Sequence, residues 1–186
     1  MLIYLTGPRA SGKTSLGRLL AERLAVPFVD TDQRLRECSG EDVAGIVARE
    51  GWEGFRRRES AILRAVAAEL EAAPVTGDAR TRPWRGVVAT GGGMVLAGEN
   101  RRFMRETGRV FYLSVPVSEL VRRLRDDPLE AQRPSLTGRT LTEEVAEVLA
   151  QRLPLYEEAH CCLDAERPLD EVCAAALARL AEDGEA

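Results

Sequence analysis

The apolar positions of this chain change period several times, from short unbroken runs to stripes recurring every three or four residues. Leu2-Ile3-Tyr4-Leu5 is an unbroken apolar run, the pattern of a strand covered on both faces. Leu16, Leu19, Leu20 and Leu24 come next at helical spacing, and Pro27 breaks that helix. Phe28-Val29 reads as a second strand running into Asp30-Thr31-Asp32. Ser39-Gly40-Glu41-Asp42 predicts a helix opened in capping-box style, with Asp in the place of Glu, and Gly51 ends it. Trp52, Phe55, Ile62, Leu63, Val66 and Leu70 then trace a long amphipathic helix whose stripe is broken only at Glu59. Val87-Val88-Ala89-Thr90 and Val110-Phe111-Tyr112-Leu113 are the third and fourth strands, and Ser118 reads as the cap of the next helix. A helix is predicted from about Leu141, disturbed at Pro154. Cys161-Cys162-Leu163 is a weak fifth strand, and a last helix runs from near Pro168 to about Glu182. Two polar stretches interrupt the pattern. Pro74 to Gly86 reads as a surface loop, longer than most connections. Asp126 to Arg139, with Pro128, Pro134 and Gly138, reads as a mobile flap.

Strands alternating with helices imply an α/β fold, a parallel sheet covered on both faces. The chain shows no internal repeat and no linker, and its 186 residues suit one domain, 1–186.

Composition narrows the function classes. The 45% hydrophobic and 30% charged content is that of an ordinary globular protein. A net charge of −4 argues against a nucleic-acid surface, so no nucleic-acid partner is expected. No apolar stretch approaches the roughly 20 residues that span a bilayer. The opening segment lacks a basic region ahead of its apolar run and so reads as no signal peptide; a cytoplasmic protein without a membrane partner is expected. Cys38, Cys161, Cys162 and Cys173 form no C-x-x-C pair and are expected to be reduced, mostly buried thiols. His160-Cys161-Cys162 is a poor metal site, because neighbouring side chains on an extended segment point to opposite faces.

The chemistry begins at the one lysine. Lys13 stands against 25 arginines, in Gly7-Pro8-Arg9-Ala10-Ser11-Gly12-Lys13-Thr14, which satisfies G-x-x-x-x-G-K-[ST] at every fixed position. A compact ammonium on a flexible stem can fold back over backbone amides to a phosphate oxygen, where a wide guanidinium fork fits less well. With a strand before it and a helix after it, the loop predicts a nucleoside-triphosphate site. Backbone amides of Ala10, Ser11, Gly12, Lys13, Thr14 and Ser15 would cradle the phosphates. Lys13 would reach the β- and γ-phosphates, and the Thr14 hydroxyl would ligate Mg²⁺.

Asp30 and Asp32 fall at the end of the second strand, where ligands gather in open parallel sheets. If the chain stays extended there, a spacing of two points both carboxylates to one side. One could then hold Mg²⁺ through water and the other orient a hydroxyl nucleophile; alternatively Asp32 merely caps the next helix. Arg56, Arg133 and Arg152 would each be an ordinary solvated arginine if read alone. Gly91-Gly92-Gly93 is a sharp turn that also lets a ligand approach the backbone closely.

Taken in order, these pieces resemble the shikimate kinase family. The resemblance rests on the Gly7–Thr14 loop, Phe28-Val29-Asp30-Thr31-Asp32, Phe55-Arg56, Gly91-Gly92-Gly93, Arg133-Pro134 and Arg152-Leu153-Pro154-Leu155-Tyr156. It spans Met1 to about Leu180. The phosphate loop is shared by many kinases, whereas the Asp-Thr-Asp, triple glycine and Arg-x-Pro-Leu-Tyr runs together are much more specific.

The resemblance implies a P-loop, nucleoside-monophosphate-kinase-like three-layer sandwich whose five-stranded parallel sheet has the order 2-3-1-4-5. Substrate-binding helices would lie at about 33–72 and a lid at about 126–140. It implies transfer of the γ-phosphoryl of ATP to the 3-hydroxyl of shikimate, in aromatic amino-acid biosynthesis, with Mg²⁺ as cofactor. By the same resemblance, Lys13, Asp32 and Arg133 are the catalytic residues. Asp32 binds the shikimate hydroxyls, and Arg56 and Arg152 grip its carboxylate. Gly91, Gly92 and Gly93 supply substrate-binding backbone. Arg133 reaches the ATP phosphates from the lid, Arg123 lies near adenine, and Thr14 and Asp30 form the Mg²⁺ site. The partners are then small molecules, ATP and shikimate, and the protein a monomer. A gluconate-kinase-like enzyme of the same fold and a silent nucleotide-binding regulatory module are the competing readings. The module is expected to have lost Lys13, Asp32 or Arg133, and the chain keeps all three.

Overall fold

The first strand, β1 (Leu2–Thr6), is buried along its whole length, as an unbroken apolar run requires of a strand covered on both faces. The computed structural model describes residues 1–73, 84–126 and 140–184. Besides β1 it contains β2 (Phe28–Asp30), β3 (Val87–Ala89), β4 (Gly108–Ser114) and β5 (Cys161–Asp164). The helices are α1 (Lys13–Leu24), α2 (Thr31–Ser39), α3 (Val43–Ala72), α4 (Gly98–Thr107), α5 (Val117–Asp126), α6 (Leu141–Tyr156) and α7 (Leu169–Gly184). The strands pair in parallel, in the order β2-β3-β1-β4-β5.

Alternation along β1 sorts the core. Ile3 and Leu5 pack with Leu16 and Leu20 of α1 and with Val172 and Leu180 of α7. Leu2 and Tyr4 face the other way, against Leu63, Val66 and Leu70 of α3 and Met104 of α4. This is the period of two expected of a central strand, and it makes the fold a three-layer sandwich. A parallel sheet gathers the C-terminal ends of its strands at one edge. There β1 runs into the phosphate loop, β2 into Asp30 and β3 into Gly91-Gly92-Gly93. The chain winds outward to β2 from one side of β1 and to β4 and β5 on the other, so that edge contains the topological switch point.

Several local expectations need correction. Ser39 does not open a helix; it ends α2, donating its hydroxyl back to the Leu35 carbonyl at 2.8 Å. Asp42 caps α3 instead, accepting from Gly45 N–H at 2.8 Å. Gly51 does end the first helical stretch of α3, as expected: its φ of 70° and ψ of 175° are non-helical, and a second stretch continues beyond the kink. Ser118 lies inside α5, whose first bond runs from Leu120 N–H to the Pro116 carbonyl. Trp84, read as loop, is a core residue at 7% exposure; positions 74–83 of that loop lie outside the described residues. Of the cysteines only Cys173 is buried, while Cys38 and Cys162 are exposed. Helix α4 escaped the pattern because Phe103 and Met104 are its only large apolar residues. Its other inward position is Asn100, whose amide is satisfied by the Met94 carbonyl at 3.2 Å.

Candidate active site

The loop after β1 is shaped by three positive φ angles, two at glycines that accept them freely, Gly7 at 145° and Gly12 at 93°, and one at Ala10, at 61°. Gly12 is the N-cap of α1 and carries no side chain that could cap it. The first turn of α1 contains no acidic residue, and its amides and the positive end of the helix dipole are turned to the loop, the makings of an anion site. Lys13 folds back over the loop, its Nζ donating to the Gly7 carbonyl at 2.9 Å and the Pro8 carbonyl at 2.6 Å. Thr14 Oγ1 donates to Asp30 Oδ2 at 2.7 Å.

Asp30 divides its two oxygens. While Oδ2 meets Thr14, Oδ1 caps α2 by accepting from the N–H groups of Asp32 and Gln33 at 3.0 and 3.1 Å. It is Asp30, therefore, that caps the helix. The chain turns helical at Thr31, so the extended geometry expected to align the two carboxylates does not hold. Asp32 is carried round on the first turn of α2 toward the triple glycine. A Cβ added to Gly91 would collide with Asp32 Oδ1 and stand 3.0 Å from Glu59 Oε1. A Cβ on Gly93 would run into the Arg56 guanidinium. Glycine at these positions is a condition for the charged groups to close over the backbone. Between them, the Gly92 carbonyl accepts from Arg152 Nη1 at 3.1 Å and from the Tyr156 hydroxyl at 2.6 Å.

Glu59, the one polar break in the apolar stripe of α3, proves to be the centre of this cluster. It is 4% exposed and ion-paired with Arg56 one turn earlier. Burial holds its carboxyl above the usual carboxylate range and Asp32 adds to that, while Arg56 and Arg152 pull it down. The buried carboxylate thus pairs with Arg56 of its own helix and feels the charge of Arg152 from α6. Arg56 also lies over the rings of Trp52 and Phe55, at 5.5 and 5.3 Å, which fixes its plane. Sequence reasoning missed Glu59 and Tyr156. The signal for Glu59 was on view, since a lone charge in a buried stripe must find a partner.

A cleft of about 990 Å³ runs beside the phosphate loop, and Lys13, Thr14, Asp30, Asp32, Gly92 and Arg123 are all on its wall. Arg56, Gly91, Gly93 and Arg152 adjoin it through Asp32, Glu59 and Gly92 and are not on the wall itself. Arg123 is tied down at three points, to Glu119 and to the carbonyls of Ala10 and Ala165. Arg133 and most of the expected lid lie outside the described residues. No helix among the described residues is long and apolar enough to cross a membrane. In chemical terms the cleft offers an anion cradle with the Lys13 ammonium at one end. At the other it offers the Asp32 carboxylate, with Arg56 and Arg152 adjoining it behind the glycines, a set of groups suited to a small hydroxylated acid.

Comparison with known proteins points the same way. The family model described as shikimate kinase matches residues 9–181. Shikimate kinase 2 of Yersinia enterocolitica is 47% identical over 182 residues, covering 97% of this chain and 96% of that one. Shikimate kinase 2 of Syntrophotalea carbinolica is 51% identical over 176 residues, covering 94% of each. Among solved structures, the shikimate kinase from Acinetobacter baumannii in complex with shikimate superposes with a TM-score of 0.81 at 30% identity, covering 97% of this chain and 93% of that one. A gluconokinase from Sinorhizobium meliloti 1021 reaches a TM-score of 0.55 at 21% identity, over 98% of this chain and 94% of that one, a likeness of fold alone.

Proposed function

We infer the working parts of the site from one premise: the chain belongs to the shikimate kinase family. It is an ATP-dependent kinase that transfers the γ-phosphoryl group to the 3-hydroxyl of shikimate, giving shikimate 3-phosphate and ADP, a step of aromatic amino-acid biosynthesis. Each part of the cleft takes a role in that transfer.

ATP lies with its phosphates on the amides of Ala10 to Ser15, Lys13 swinging from the loop carbonyls to the β- and γ-phosphates. Arg123 flanks the base, and Arg133 closes from the lid. Shikimate lies over the triple glycine with its carboxylate on Arg56 and Arg152. Glu59 holds those guanidinium groups in register. Asp32 takes the 3-hydroxyl in hydrogen bond. In the transfer, the hydroxyl oxygen forms a bond to the γ-phosphorus while the bond to the β–γ bridging oxygen breaks. The proton passes to Asp32, and ADP departs. Loose phosphoryl transition states depend on positioning and charge neutralisation more than on a strong base, so orientation by Asp32 carries most of its effect. The observation that supports this reading most strongly is that Asp32 and Gly92 share one cleft wall with Lys13.

Thr14 and Asp30 fit Mg²⁺. They offer a hydroxyl and a carboxylate 2.7 Å apart at the mouth of the phosphate loop, hard oxygen donors of the kind Mg²⁺ uses beside substrate phosphates. When bound there, the ion would neutralise phosphate charge. The chain works as one kinase domain with α2 and α3 as its acceptor-binding part. We take it to act as a cytoplasmic monomer on small-molecule substrates.

A coupled ADP-release assay with ATP and Mg²⁺ tests the assignment. Turnover with shikimate, and none with gluconate or without acceptor, is expected. Turnover with gluconate in its place would discard the acceptor pocket and keep the phosphate site.

A further inference from the structure

Arg123 reaches three separate parts of the chain from the middle of α5. Its Nε donates to Glu119 Oε1 at 2.7 Å, its Nη1 to the Ala10 carbonyl at 3.3 Å and its Nη2 to the Ala165 carbonyl at 2.9 Å. One guanidinium therefore joins the phosphate loop, the segment after β5 and its own helix. Every one of its nitrogens is engaged, and its plane is set by the three bonds together. Glu119, one helical turn earlier, is itself gripped from the other side, both its oxygens accepting from Arg122 at 2.7 and 2.8 Å. The Glu119 and Arg123 side chains are only 17% and 25% exposed.

The point of contact in the phosphate loop is also significant. Ala10 holds a left-handed φ of 61°, a conformation disfavoured for a residue with a Cβ. Its carbonyl is thereby directed onto Arg123. A flip of that peptide would turn a carbonyl oxygen toward bound phosphates and remove an amide from their cradle. A hydrogen bond from a guanidinium whose own direction is fixed opposes the flip.

We propose that Glu119 is a positioning residue of the nucleotide half, which sets the phosphate loop by holding Arg123 on the Ala10 carbonyl. The inference rests on the reading of Arg123 as part of the ATP site, and takes it further: the brace acts on the phosphates and not only on the base. The two guanidinium partners hold the Glu119 carboxyl down at about 2, so the brace stays ionised throughout the neutral range.

Calorimetric titration of the full chain with ADP and with inorganic tripolyphosphate separates the two modes of action. Glu119→Ala, which keeps helix propensity at this half-buried position, is expected to weaken both ligands by about fivefold, the scale of one lost charge-assisted hydrogen bond at a partly exposed site. Glu119→Gln keeps an acceptor oxygen and should recover part of that loss. In steady state, KM for ATP should rise while KM for shikimate stays unchanged, a split that general loosening of the fold would not give. If ADP weakens and tripolyphosphate does not, the brace serves the base alone and the proposal fails. It fails equally if neither ligand responds, or if the wild type binds ADP and not tripolyphosphate. A wild-type protein that binds neither would overturn the nucleotide site itself, and this inference with it.

Discussion

The two halves of the cleft are built by opposite means. The phosphate half is nearly contiguous, Gly7 to Ser15, and works mostly through backbone amides and one helix terminus. The acceptor half is assembled from side chains far apart in the chain, with Asp32 on α2, Arg56 and Glu59 on α3, and Arg152 and Tyr156 on α6, all leaning on Gly91-Gly92-Gly93. A ligand class common to many enzymes can be held by a local backbone device. A particular small acid needs a particular set of side chains, and only a folded chain can collect them. The halves should therefore fail differently under mutation: the first above all at Lys13, the second at any of several charged groups.

The largest effect is expected where the halves meet. Asp32→Ala should lower kcat by about 10³-fold, within the range of positioned acid–base groups, while ADP binding by calorimetry stays nearly unchanged. Near-normal turnover would remove Asp32 from the site. Lys13→Arg tests the phosphate half alone. It keeps the charge and loses the compact geometry, and a loss of about 10²-fold in kcat/KM for ATP is expected by analogy with other transition-state clamps. A fully active arginine variant would mean that charge, not shape, decides this position.

On the acceptor side, Arg152→Ala should raise KM for shikimate about tenfold or more, the scale of a lost ion pair to a carboxylate, with KM for ATP little changed. Equal losses for both substrates would blur the comparison by making Arg152 a support of the whole cleft. Glu59→Gln should act in the same direction with a smaller, several-fold effect, because Arg56 keeps its place over Trp52 and Phe55.

Glu59 also yields a pH prediction. Its folded pKa is raised by burial, so its contribution to stability is fully present below the unfolded value and is lost as pH rises through the folded one. The melting temperature of the wild type should therefore fall relative to that of Glu59→Gln, by a few degrees at most, between about pH 4 and neutrality. A difference that stays flat, or grows in the wild type's favour, would show that Arg56 has fully offset the burial cost.

Much of this fold was legible in the order of residues. The unbroken run at β1, the helical leucines of α1 and the alternation of strands and helices specified a doubly covered parallel sheet, because burial on both faces leaves no other pattern. The phosphate loop was legible because its chemistry lies within consecutive residues, so that motif and site are the same object. Asp32 was marked as a candidate by its place at the end of the second strand, whereas Arg56 and Arg152 could be named only through the family resemblance, since each alone reads as an ordinary solvated arginine.

The tertiary structure decided the rest, and for one physical reason: partners distant in the chain leave no local trace. It made Asp30 the helix cap and sent Asp32 to the glycines, since the backbone turns helical at Thr31 instead of staying extended. It set Glu59, paired with Arg56 on its own helix, in the field of Arg152 from another helix, and drew Trp84 into the core. The sequence by itself determined the strands, most of the helices and the phosphate motif they carry, because those depend on neighbours along the chain. Which charged side chains share a pocket depends on how the helices lie across the sheet, and packing alone sets that.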